Sequence, residues 1–441
     1  MWVGLVGTVG VRFRVEVAQV TLTARGTIFE PGDDYFYNDP VSDYNDAWYS
    51  LDDVTWFDIT PRVDRFTISR GRDALANSFR PGIGSVTVHN DDGAFNPLRG
   101  RVIVGNQTLR PGRWIRFSGR LSTKITEEYV PLWVGRIDSL GDSYQDAAFK
   151  SYSTWSCMDY MAGLEQDDKP PLEVEDPNTP GQMTDERVRY IWEELLGYEP
   201  DFLVTDPGTY PMKGTNFPGS RMSQIQQATQ AEGGDFFVAK DGRLNFKNQA
   251  WLTVPPADTP QFVIGSPADG HKVVDVKTSW DAQRIQNYIT LQREKDGDLD
   301  EPVSTTVTNS TSVALYGTRT FSNTSLQLQN DVDVADLAFK RLPVSAFDTL
   351  RIDEVTLWAN DLEAAQNLLD VEVGWQVFVT VNTGLGWSYS ITAWVNGVAH
   401  SVDAHGWSTR LRLDNTDRSN PLLGGAFDGA FSTAFDLKED I

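Results

Sequence analysis

The sequence predicts a mainly β fold with α+β insertions: two β-barrel, tube-like domains and a small α/β unit between them. Two observations carry this expectation. Runs of alternating apolar and polar residues, bounded by Gly, Pro, Asn or Asp, return about every ten residues from Thr55 to Cys157, and strands resume after Val273. Helical spacing is concentrated between Thr184 and Glu232.

In chain order, Val11, Phe13, Val15 and Val17 alternate with polar neighbours and predict a strand, with Val20 and Leu22 after it. Residues 30–54 interleave acidic residues with Tyr, Phe and Trp without a period, which predicts a long loop or arm. Its Asp and Asn content invites a calcium site, but no spacing matches an EF-hand loop. Phe66 and Ile68, then Val86 and Val88, predict the first hairpin. Arg70-Gly71-Arg72 is a basic corner between these strands, and Asp91-Asp92-Gly93 is a turn, because Asp tolerates and Gly favours positive φ. Strands near Trp114, Trp133 and Tyr152 and a short helix after Asp159 complete a first domain over 1–165.

The charged, Pro-rich stretch 166–182 reads as a linker. A middle unit over 183–272 holds two helices and a hairpin. Thr184 is the expected cap of the first helix, with Val188, Ile191, Trp192 and Leu195 on one face and Gly197 at its stop. The second helix starts near Ser220 and ends at Gly233-Gly234. Asp241-Gly242 predicts a type I′ hairpin turn. The last domain, 273–420, carries strands around Ile289, Val355, Val377 and Leu411 and a helix over 332–342 that ends at Pro343. A helical turn or two is expected at 361–369, and a hairpin turned by Asn396-Gly397 follows. Residues 421–441 repeat Ala-Phe-Asp at 426–428 and 434–436 and predict an extended segment that docks on a partner.

Charge bounds the function. The 441 residues carry a formal charge of −24, a poor basis for gripping phosphates, so no specific nucleic-acid binding is expected. The charge is segregated: residues 61–130 hold 12 Lys and Arg against 6 Asp and Glu, and residues 131–200 hold 5 against 15. Such a split suits mating between different faces of neighbouring subunits, or arginines paired within one domain. Fourteen tryptophans suit large permanent interfaces or carbohydrate binding. Cys157 is the only cysteine, which removes intrachain disulfides and thiolate zinc sites. The N-terminal apolar run lacks a basic n-region and is broken by Arg12, Arg14 and Glu16, so it reads as strand rather than signal peptide. No run approaches the roughly 18–20 apolar residues of a membrane span, and synthesis in a cytoplasm is expected.

No constellation carries chemistry. There is no HExxH and no GxxxxGK[ST] run. His400 and His405, with Asp403 between them, offer either a metal pair or the commoner half-buried polar layer of a hairpin. Gly82-Ile83-Gly84-Ser85 lacks the strand-elbow-helix context of a serine nucleophile. Asp138, Asp142 and Asp146 are the nearest thing to glycosidase carboxylates, against the plainer reading of a solvated turn. No catalytic residue, metal or cofactor is therefore expected.

A string of residues resembles the minor tail proteins of long-tailed bacteriophages and prophages, specifically the tail-tip or baseplate hub family. It begins with Trp56, Asp58, Ile59, Thr60 and the Arg70-Gly71-Arg72 corner. It continues through Pro81, Gly82, Gly84, Val86, Val88, Asn90, Asp92, Gly93, Phe95 and Pro97, then Pro111, Gly112, Arg116, Leu132, Gly135, Ile137 and Asp138. The middle unit is similar through Gln227, Ala231 to Gly234, Phe237, Val238, Asp241 to Leu244 and Phe246, and Asn287 and Tyr316-Gly317 fit the second half. The resemblance spans most of 55–360. It implies a non-enzymatic virion protein at the tail tip: a homotrimer whose six barrels continue the tail tube toward a threefold tip and channel DNA to the host. Implied partners are a distal tail protein ring, the tail tube, the tape measure protein and other minor tail or fibre proteins. The alternatives are a hexameric distal tail adaptor and a tail protein that binds host cell-wall carbohydrate. Arg70, Arg72, Asp92 and Trp133 are the expected inter-subunit contacts.

Overall fold

The computed structural model describes residues 2–4, 10–19, 55–72, 79–95, 103–104, 107–124, 128–145, 150–166, 176, 179–196, 200–251, 260–265, 271–279, 284–295, 301–347, 351–359, 361–382 and 388–415. The acidic arm at 30–54, most of the linker and the segment 421–441 lie outside them.

β1 (Trp2–Gly4), β2 (Gly10–Gln19) and β3 (Thr55–Asp58) pair antiparallel at one edge. A turn at Thr60–Arg62 leads into β4 (Val63–Gly71), which buries Val63, Phe66, Ile68 and Arg70 in alternation. β5 (Arg80–His89) returns along β4 as the expected hairpin. β6 (Ile103–Val104) and β7 (Gln107–Thr108) form a small ribbon, followed by β8 (Trp114–Leu121), β9 (Val130–Gln145), β10 (Lys150–Met158) and α1 (Tyr160–Gln166). β9 runs on past Ile137, so Asp138 and Asp142 belong to a strand, not to the solvated turn expected of them. Pairing with β10 extends it on both sides of a bulge at Asp138, with Asp142 opposite Ser153.

The middle unit holds α2 (Thr184–Tyr190), prolonged by a wider turn over Ile191–Leu195, then β11 (Leu203–Thr205), α3 (Arg221–Glu232), β12 (Asp235–Val238) and β13 (Leu244–Lys247). The three strands form one sheet, β11-β13-β12. Ser220 caps α3 by accepting from Ser223 N, and Gly233 ends it at φ 70°, both as the sequence predicts. Thr184 is not the cap of α2: Met183 holds that position, and the Thr184 hydroxyl donates to Glu232 at 2.6 Å, joining the two helices. Asp241-Gly242 is not a type I′ turn either. Ala239 and Arg243 close a three-residue loop in which Gly242, at φ 91°, takes the left-handed position.

The rest of the chain is β14 (Phe262–Ile264), β15 (His271–Ser279), β16 (Tyr288–Arg293), β17 (Thr305–Thr308), α4 (Ser310–Tyr316), β18 (Thr320–Leu326), α5 (Asp331–Ser345), β19 (Arg351–Ala359), α6 (Leu362–Asp370), β20 (Gln376–Asn382), β21 (Ser388–Val402) and β22 (Trp407–Asn415). α5 continues through Pro343, which is exposed in the final turn, where the loss of one amide costs least. Asn396-Gly397 is a bulge inside β21 rather than a hairpin turn. The β21–β22 turn is Asp403–Gly406, where Asp403 Oδ1 accepts from His405 N at 2.7 Å and Gly406 N at 3.0 Å.

Among the described residues these strands pair into one continuous sheet, and the two closed barrels expected are not seen. Among the described residues a single 14-stranded sheet runs β1-β2-β8-β9-β10-β5-β4-β21-β22-β19-β15, with β3 on β2 and the β14–β20 pair on β21, and no pairing closes either half. The long β21 explains this. It pairs with β20 along its first part and with β4 along its second, from Gly397↔Gly71 to Val402↔Phe66. The core beneath is likewise shared: the Phe13 ring lies 5.7 Å from Phe66 of its own half and 5.3 Å from Trp407 of the other. A second core joins the middle unit (Ile225, Phe246) to β16, β17, β18 and α5 (Ile289, Val307, Leu326, Leu337).

Candidate functional site

Gly71 ends β4 at φ 98°, against the β21 bulge. A Cβ there would strike the Asn396 carbonyl oxygen and Gly397 Cα, so only glycine lets the strands meet. The Arg72 amide donates to Asn396 O at 2.9 Å. Two buried guanidinium groups leave this corner for different parts of the fold. Arg70 is 3% exposed; it pairs with Glu372 and donates to Val371 O at 3.0 Å. Arg72 is 8% exposed; it donates to Asp235 Oδ1 at 2.8 Å and lies 5.0 Å over the Phe79 ring. The other Asp235 oxygen accepts from Trp251 Nε1 at 3.1 Å.

The network closes through Lys240 on the β12–β13 loop. Its amide donates to Glu372 Oε2 at 3.0 Å, and its ammonium to Asp370 O at 2.6 Å and Leu369 O at 3.3 Å. Lys240 and Arg70 thereby satisfy the carbonyls that the C-terminus of α6 leaves without amides. Burial lowers the Lys240 pKa below its ordinary value, against the pull of Glu372. His400 sits beside the network, 3.0 Å from the Thr409 hydroxyl and accepting from Trp407 Nε1 at 3.3 Å. Burial first, then the charges of Arg70 and Lys240, push it down to about 3, so it is neutral. His405 lies apart from it, in the exposed turn.

The remaining expected contact residues lie elsewhere. Asp92 is at the far end of the β4–β5 hairpin, where both its oxygens accept from Arg62, at 2.9 and 2.7 Å. That bond holds the carboxyl below the usual range, and the pair is exposed. Trp133 is 1% exposed, 5.7 Å from the Phe117 ring. Arg70 and Arg72 are thus brought together, while Asp92 and Trp133 are not part of the corner. Among the described residues no group of three His, Cys, Asp or Glu is placed to hold a metal. What this arrangement can do is mechanical: it locks the two sheet halves, α6 and the middle unit together.

No protein-family model matches the sequence, and no curated protein matches it. Solved structures do match, two tail proteins among them. The tail protein of Neisseria meningitidis aligns with a TM-score of 0.52 at 13% identity, over 81% of this chain and 93% of its own. The 43 kDa tail protein of prophage MuSo2 from Shewanella oneidensis aligns at 0.53 and 12% identity, over 83% of this chain and 97% of its own. The chain shares the fold of these two tail proteins.

Within this tail-protein fold the glycines of the motif have a physical task. The Trp133 indole lies in a slot floored by Gly82, Gly84 and Gly135. A Cβ on Gly82 would come within 2.9 Å of Trp133 Nε1, one on Gly84 within 3.4 Å of the ring, and one on Gly135 would overlap it. Asn90 is fully buried and accepts from Phe95 N at 2.8 Å, which seats Phe95 against Trp155. Sequence reasoning missed Glu372, Asp235 and Lys240. Their partners lie 163 or more positions away for the two arginines, and a lone acidic residue in a −24 chain carries no local mark.

One titration follows from this part of the tail-protein fold. Asp159 is buried at the start of α1, accepting from Gly82 N at 2.6 Å and Met161 N at 3.0 Å. Burial outweighs these donors and pushes its carboxyl up to about 7. Because the folded value is raised, the stabilisation belongs to the neutral acid. It is complete below the ordinary carboxylate range and is lost as pH rises through about 7. Thermal melting from pH 4 to 8 should therefore fall more steeply for the native chain than for Asp159→Asn, whose curve starts lower; parallel curves would remove this assignment.

Proposed function

We propose that this chain is a structural protein of a phage tail and that it forms the tail-tip or baseplate hub. In this reading it is a non-enzymatic homotrimer, made in the host cytoplasm and carried in the virion, whose ring continues the tail tube and channels DNA to the host. The observation that carries the reading is the near-complete coverage of two tail proteins, 93% and 97% of their lengths, by most of this chain. The physical properties support it. A −24 chain lining a channel gives DNA little to adhere to. Buried ion pairs that tie distant parts of one subunit suit a rigid tube wall. Of the expected contact residues, Asp92 with its Arg62 partner is exposed and can face a neighbouring subunit directly. Arg70, Arg72 and Trp133 act on assembly by holding the shape of the subunit. Its neighbours in this reading are the distal tail ring, the tail tube, the tape measure protein and other minor tail or fibre proteins.

The test is the symmetry of the assembled particle. Cryo-electron microscopy of tails, with the purified chain followed by light scattering, is expected to give three copies at the tip. Six copies would make it the distal adaptor, and a chain that is monomeric at micromolar concentration and absent from tails would overturn the reading. Binding to purified host cell wall without incorporation into tails would favour the carbohydrate-binding alternative.

A further inference from the structure

Arg341 lies on the inner side of α5, four residues after Leu337 and seven after Val334, which are both in the second core. Its guanidinium carbon sits 3.7 Å over the Phe321 ring of β18, and its Nε donates to Gln286 Oε1 at 3.1 Å. Gln286 is itself fixed to the last turn of α5. Its amide donates to Ser345 O at 2.7 Å, and its carbonyl accepts from Ser345 Oγ at 3.0 Å.

This half-buried guanidinium lacks a counter-charge. Arg70 and Arg72 each have a carboxylate. Among the described residues none pairs with Arg341, and the acids of its own helix are taken elsewhere: Asp331 by Arg293, Asp333 by Asn330, and Asp336 by Lys340 and Tyr210. Burial alone pushes Arg341 down to about 10. The Phe321 face offsets part of the cost of burying the charge, but it accepts no N–H from the edge of the fork.

The groups left over are all donors. Nη1 and Nη2 have no acceptor among the described residues and are not sealed from solvent. Gln286 Oε1 must face the Arg341 Nε donor, so the same amide turns Nε2 away as one more donor, also without an acceptor among the described residues. Beside Gln286, the Asn287 amide donates to Arg319 O at 3.0 Å, and the exposed Arg319 side chain has no carboxylate partner among the described residues either. A planar guanidinium edge with an amide donor next to it suits an oxyanion, which takes two parallel N–H bonds.

We propose that Arg341, with Gln286 Nε2 beside it, binds a single oxyanion group, a carboxylate or a phosphate, brought by a free ion or a neighbouring chain. Phe321 holds the guanidinium plane and Gln286 Oε1 fixes its rotation, so the fork is set before the ligand arrives.

Titration of the full chain, isotope-labelled at arginine, with inorganic phosphate and separately with acetate tests this. The Arg341 Nε–H resonance, assigned by its loss in Arg341→Lys, is expected to shift saturably with a midpoint of about 1–10 mM. Arg341→Lys keeps the charge but not the fork, so protection of this variant against thermal melting should need about tenfold more phosphate. Arg65→Gln removes an exposed charge on β4 and should leave that protection unchanged. Dilution without added ion separates the sources. A resonance that moves with protein concentration marks a neighbouring chain's carboxylate, and one that moves only with added phosphate or acetate marks a free ion; either supports the site. A shift that stays linear up to about 100 mM, as general screening gives, would overturn the proposal. So would equal protection of Arg341→Lys and the native chain, or no shift on titration or dilution. Native-like melting of each variant without ion establishes that the fold under test is intact.

Discussion

Arg72→Ala is expected to destabilise the chain by about 3–5 kcal/mol, measured by chemical denaturation. The side chains of Arg72 and Asp235 are 9% and 8% exposed, so water does not replace the lost partner. The Asp235 carboxylate would remain buried with the Trp251 Nε1 donor as the other hydrogen bond shown to it. The stacking of the guanidinium over Phe79 would go as well. Asp235→Asn in the same background removes the stranded charge and should recover a good part of the loss. Non-additivity of about 1.5 kcal/mol or more in that double-mutant cycle is the signature of a buried pair rather than of lost packing. A single-mutant loss within about 1 kcal/mol would mean that the corner is solvated in solution and locks nothing. Because the pair ties the large sheet to the middle unit, the yield of the proposed trimer should fall along with monomer stability, not before it.

The pattern of strands was legible because alternation is a local property. Phe66, Ile68, Val86 and Val88 face the core as their period requires, and Ser220 and Gly233 bound their helix for reasons contained within it. Misreadings arose where one dipeptide serves two geometries. Asn396-Gly397 suits a hairpin turn, yet here it lets β21 bulge around the corner of β4. Likewise a Thr before two acidic residues reads as a cap, but the Thr184 hydroxyl is used by Glu232, 48 positions away. At the candidate site, Arg70 and Arg72 stood out because two arginines flank a glycine. The carboxylates that give them meaning sit on distant elements, and a single chain offers no local signal for such pairing.

Gly71→Ala is expected to be the more revealing change, because it acts on the one ladder that, among the described residues, joins the two halves of the sheet. At φ 98° an alanine carries roughly 1–2 kcal/mol of backbone strain. Its Cβ also meets the backbone of Asn396 and Gly397, which cannot rotate away as a side chain would. The strain can be relieved only by parting β4 from β21, from Gly71↔Gly397 toward Phe66↔Val402. The consequence depends on how the core is organised. With Phe13 packed on both Phe66 and Trp407, loosening this ladder opens one shared core. The thermal transition should therefore stay single and move down, and amides of β9–β10 and of β19–β22 should lose exchange protection together. Two resolved transitions, with β9–β10 still protected after β19–β22 has opened, would mean that two independent barrels merely touch along β4 and β21. In that case the corner would be a seam between domains, and the buried pairs at Arg70 and Arg72 would govern how the domains are set against one another rather than whether the subunit folds.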